Sequence, residues 1–142
     1  MEPFPPAIPD QDNPAAPAAQ QTRCEQGGPE MPAAIVLFRP MDTVEFLFFL
    51  CRTNARIRVF LTRHLTQPRE LLVDEAGRDF ISILLPPLAP GRHLLFWSFL
   101  GAGEDWQTRA ELAVNDVTRF RHRKSSASDD PVNRGFLLLE VV

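Results

Sequence analysis

The chain has no tyrosine, one lysine (Lys124) and only two cysteines, Cys24 and Cys51, among its 142 residues. Each shortage excludes something. Cys24 lies in a polar N-terminal stretch and Cys51 inside the apolar run FLFFLC at 46–51. Such placing gives neither a spaced metal-ligand pair nor the dense cysteine framework that staples small secreted domains. Cys51 reads as a small core residue, and unpaired thiols suit a reducing compartment. Apolar runs are short, far below the ~20 residues that span a bilayer. The start, MEPFPPAIPDQDNP, is acidic and has neither the basic region nor the apolar core of a signal peptide. A cytoplasmic protein without a membrane span is expected.

Catalytic signatures are missing as well. No GxSxG, HExxH, GxGxxG or GxxxxGK[ST] occurs. His64, His93 and His122 are scattered, without the local pairing typical of zinc sites. The acidic pairs Asp74-Glu75, Glu104-Asp105 and Asp129-Asp130 sit in turn-like sequence and lack the DxDxDG spacing of a calcium loop. Adjacent loop carboxylates do not make an acid–base site, which needs two groups held together with separated pKa values. No catalytic residue, metal ligand or cofactor is assigned, and a non-enzymatic protein is expected.

What is present is uneven. The formal charge is −3, but residues 1–33 carry −4 of it, leaving residues 34–142 at about +1. No global field draws this chain to nucleic acid. Residues 1–32 hold eight of the 14 prolines and one aromatic residue, Phe4. Such a stretch cannot bury enough apolar surface to offset its ordering entropy, so residues 1–33 are expected to be a disordered leader. Within it PFPP at 3–6 is a conceivable docking motif.

From Ala34 onward the pattern changes to short β-type runs. IVLF at 35–38 and TVEFLFFLCRT at 43–53 are rich in branched and aromatic residues. ARIRVFLTR at 55–63 alternates, with Arg56, Arg58 and Phe60 on one face and Ile57, Val59 and Leu61 on the other. RELLV at 69–73 is followed by the turn residues Asp74-Glu75-Ala76-Gly77. DFISILL at 79–85, RHLLFWSFL at 92–100, WQTRAELAV at 106–114, VTRFRHR at 117–123 and GFLLLEVV at 135–142 complete the set, the last as a buried strand. Asn115-Asp116 between two such runs suits a tight hairpin, because both residues tolerate positive φ. About eight or nine strands at even spacing, with no helical period, predict an all-β antiparallel sandwich over 34–142.

One motif carries a resemblance. Leu88-Ala89-Pro90-Gly91 before an alternating strand resembles the corner preceding a late strand in fibronectin type III and bacterial immunoglobulin-like domains. The resemblance implies an immunoglobulin-like β-sandwich of seven to nine strands. Members commonly tie that corner with a tyrosine three residues after the glycine; here that residue is Leu94. Sandwiches of this kind host many roles, so the likeness does not itself give a function.

Two functions fit. The first is a protein-binding module, an adaptor or accessory component. Its partner contacts are placed on Arg119, Arg121 and Arg123 within RFRHRK, a cluster otherwise read as a solvated edge strand that blocks edge pairing. Nucleic acid is not expected there. The second is a small-ligand module for carbohydrate or lipid, using the loop at 101–106. There the glycines give freedom, Trp106 offers a flat face, and Glu104 and Asp105 accept hydroxyl hydrogen bonds. Trp97, between large apolar neighbours, is expected in the core, with Trp106 less buried. A flat apolar patch would favour the first function, and an aromatic platform or cavity the second.

Overall fold

The computed structural model describes Cys24 and residues 28–51, 55–101, 103, 105–128 and 131–142. Nine strands form two packed sheets: β1 (Ile35–Phe38), β2 (Val44–Cys51), β3 (Arg56–Thr62), β4 (Arg69–Ala76), β5 (Phe80–Leu84), β6 (Gly91–Leu100), β7 (Gln107–Val114), β8 (Val117–Ser125) and β9 (Arg134–Val141). One sheet has the order β1-β9-β6-β3-β4, the other β5-β2-β7-β8. All neighbours are antiparallel except β1 and β9. The β7–β8 hairpin turns at Asn115 and Asp116, with φ of 52° and 67°, the positive values its sequence allows.

The period of two sets the core. Phe46, Phe48 and Leu50 face inward from β2, meeting Ile57, Val59 and Leu61 of β3, Leu95, Trp97 and Phe99 of β6, and Leu137 and Leu139 of β9. Each such side chain contributes roughly 1.5–3 kcal/mol on burial. Trp97 lies 4.9 Å from Phe46, and Trp106 meets Phe99 edge-on at 4.8 Å, centroid to centroid. Beneath Trp97 the facing residue must be Gly135, since a Cβ there would come within 2.6 Å of the indole. Glycine at this strand position lets the ring lie on the neighbouring backbone.

The Leu88–Gly91 corner is tied by histidine rather than tyrosine. His93 is fully buried; its Nε2–H donates to the Ala89 carbonyl at 2.9 Å, and Nδ1 accepts the His64 N–H at 3.3 Å. His64 and Leu65 adopt positive φ where the chain folds over this histidine. Gly91 is required twice over, by its φ of 127° and by the His64 ring 3.1 Å from where a Cβ would lie.

Three expectations change. Asp74-Glu75-Ala76 continue β4 instead of forming a turn, and the chain reverses at Gly77, with φ of 74°. β9 is buried on one face only, its outer residues being exposed or half-buried. Cys51 is not a free core thiol: it is joined to Cys24 in a disulfide. The pairing links a proline-rich stretch to a strand end 27 residues on, a spacing with no local sequence signature. The cytoplasmic expectation leaned on unpaired thiols and loses that support. Among the described residues no helix is long and apolar enough to cross a membrane.

Candidate functional site

The two outer faces of the sandwich are treated oppositely by the chain. On the four-stranded sheet, Arg109 and Glu111 of β7 and Arg121 of β8 point away from the core, yet they are only 6%, 9% and 8% exposed. Cys24 and Gly28–Met31 lie along β8. Met31 and Arg121 exchange both backbone hydrogen bonds, at 2.9 and 3.1 Å, which pairs part of an otherwise open sheet edge. Arg121 Nη1 donates to the Pro29 carbonyl and Arg123 Nε to the Cys24 carbonyl. Glu30 accepts the Arg123 backbone N–H at 2.7 Å and meets His122 Nδ1 at 2.9 Å. The disulfide fixes the segment's upstream end to the last residue of β2. Part of the chain before Ala34 therefore lies on the sandwich.

Beneath this strap sits an ionic cluster. Glu111 Oε2 lies 2.9 Å from Arg121 Nε and 3.0 Å from Arg109 Nε. Arg109 also rests over the Phe49 ring, 3.9 Å from its centroid. Burial is the largest influence on its guanidinium, moving its pKa below the ordinary arginine value. The arrangement is a structural clamp in which both arginines lie against the one Glu111 carboxylate, while Arg109 Nε, although close to it, makes no hydrogen bond of good geometry.

Among the described residues, the outer face of the five-stranded sheet has no such cover. Register places Leu71, Phe60, Phe96 and Phe136 in one row across β4, β3, β6 and β9. A bulge after Val59 brings Leu71 opposite Phe60. Phe136 is 66% and Leu71 50% exposed. Phe60 and Phe96 are half-buried, 6.0 Å apart, and share Arg69, whose guanidinium lies about 5 Å over both rings. Leu94 and Leu138 form the adjoining row.

The surround is cationic. Arg56 and Arg58 both bond Asp74, and Arg92 bonds Glu140. The Arg56 guanidinium holds the Asp74 carboxyl below its usual range. Among the described residues, neither Arg69 nor Arg134 has a carboxylate partner.

The residues singled out from the sequence are dispersed. Trp106 is 6% exposed against 5% for Trp97, so the expected difference is absent and its ring caps the core against Phe99. Asp105 is exposed beside it; Glu104 lies outside the described residues. Arg119, the extra residue of a bulge in β8, is exposed, whereas Arg121 and Arg123 turn to the strap. RFRHRK does lie on an edge strand, but it is not simply solvated.

Sequence reading missed the aromatic row. Alternation put Phe60 with Arg56 and Arg58, and Phe96 on the face opposite Trp97, but their alignment with Phe136 and Leu71 arises from long-range pairing. No group of three or more potential metal ligands occurs among the described residues. No family model matches the chain, nor does any curated protein or solved structure.

Proposed function

We propose that the protein is a non-enzymatic interaction module that binds a protein partner through the outer face of its five-stranded sheet. One observation carries this: a row of three phenylalanines and a leucine crosses a sheet face that the described residues leave uncovered, with Leu94 and Leu138 beside it. A contiguous exposed apolar patch is a mark of association. Aromatic rings at its centre and arginines at its margin are the side chains that interfaces favour. Charge names the partner's chemistry. With Arg69 and Arg134 lacking carboxylates, the complementary surface is an apolar stripe flanked by acidic residues.

An immunoglobulin-like assignment fits the five-stranded sheet, where a first strand parallel to the last flanks a central antiparallel set. The β7–β8 hairpin, inserted in the chain between neighbours β6 and β9, departs from the consecutive last strands of those domains. The disulfide favours a setting where disulfides persist, outside the reducing cytosol.

The test compares wild type with Phe136→Glu. Proteins retained by immobilised wild type from the native source are identified, purified and measured by calorimetry. Phe136→Glu should keep the denaturation midpoint within about 1 kcal/mol, as for an exposed strand position. It should weaken binding at least about tenfold, equivalent to ~1.4 kcal/mol. Unchanged affinity with a purified binder overturns the assignment of this face.

A further inference from the structure

A cleft of about 480 Å³ opens between β8 and β9 under the Pro32–Ala33 connection. Its walls are Trp97, Phe120, Phe136, Val132 and Pro32, with His122, Lys124 and Arg134 among its polar lining. That size and that mixture of apolar walls with a few polar groups suit a small-molecule site. The layers part here because the Pro32–Ala33 link carries the chain from its bridge on β8 to β1 in the other sheet.

Two groups in the cleft lack partners. Trp97 is nine-tenths buried as a residue; its indole N–H meets no acceptor among the described residues and is not itself closed off from the cleft. Gly135, having no side chain, leaves the Nε1 edge of that ring uncovered on the cleft side. The second is the Arg134 guanidinium at the rim, which has no carboxylate among the described residues. A donor on the wall and a cation at the mouth both call for an anionic acceptor, while the remaining walls call for an apolar body.

We infer that this cleft binds a small apolar carboxylic acid, its carboxylate taking the Trp97 N–H and the Arg134 guanidinium and its tail lying against Val132, Phe136 and Pro32. The site differs in chemistry from the partner face, although Phe96, Phe136 and Arg134 border both.

The probe is octanoate below its micelle concentration, with octanol as the uncharged control. The readout is the indole N–H resonance of Trp97 in nitrogen–proton correlation spectra, assigned with a Trp106→Phe variant. Octanoate should shift the Trp97 signal saturably, leave Trp106 unmoved, and bind about tenfold tighter than octanol, the worth of a charge-assisted hydrogen bond. Arg134→Gln should weaken octanoate and leave octanol unchanged. Leu71→Ser, exposed on the partner face and outside the cleft lining, should alter neither titration, so failure of the partner reading does not imitate failure here. No saturable Trp97 shift, or equal affinity for acid and alcohol, overturns the inference.

Discussion

The two outer faces of this sandwich differ in a direction opposite to their sequences. The four-stranded sheet carries Arg109, Glu111, Arg121 and Arg123, residues that ordinarily seek water, and the chain covers them with a disulfide-anchored strap. The five-stranded sheet carries Phe60, Phe96 and Phe136, residues that ordinarily seek a core, and the described chain leaves them open. Covering charge is costly unless it is paired, and here Arg109 and Arg121 share the one carboxylate of Glu111, with Arg109 Nε left without a well-formed hydrogen bond. Leaving aromatic surface open has its own cost, which a binding role explains. On the proposed reading, the charged face is internal structure and the apolar face is the surface offered to another molecule.

The sharpest break of the comparison is Glu111→Gln. It leaves Arg109 and Arg121 buried without their shared carboxylate, and stability should fall by about 3–5 kcal/mol, the scale of an orphaned buried charge. Chemical denaturation would show it. A loss below 1 kcal/mol would mean that water reaches the cluster and that the strap does not close it. The pair Cys24→Ser and Cys51→Ser comes next, with an expected loss of about 2–4 kcal/mol from freeing the closed loop. Amide exchange at Arg121, whose N–H bonds Met31, should then accelerate, while exchange in β6 keeps its rank order. If Arg121 stays protected, the strap holds without its anchor.

The smallest effect concerns pH on the open face. Asp74 has its folded pKa depressed, chiefly by the hydrogen bond from Arg56. It therefore supports the folded state above the ordinary aspartate value and loses that support as pH falls through the lowered one. Asp74→Asn should flatten the acid limb of the stability–pH curve slightly and leave neutral behaviour alone. An unchanged acid limb would remove Asp74 from the account.

Much of the fold was legible. Alternation in 55–63 and 92–100 gave the correct faces, and Asn115-Asp116 gave the hairpin. What was not legible depends on contacts distant in sequence. The strap reads as low-complexity leader because its bonds are made by backbone carbonyls, Pro29 and Cys24 among them, to arginines 92 and 99 residues away. RFRHRK reads as solvated because nothing local tells that two of its arginines face that strap. The aromatic row exists only once β3, β6 and β9 are in register, a relation no window of sequence contains.

The most direct test of the central contrast is crosslinking from each face in the native source. A benzophenone side chain is placed at Leu71 or Phe136 on the open face, and at Leu84 or Arg119, both exposed on strands of the other sheet. The account predicts that positions 71 and 136 yield the same covalent adduct and that positions 84 and 119 yield none. An adduct formed from 84 or 119 and absent from 71 and 136 would place the interface on the strapped sheet and contradict it.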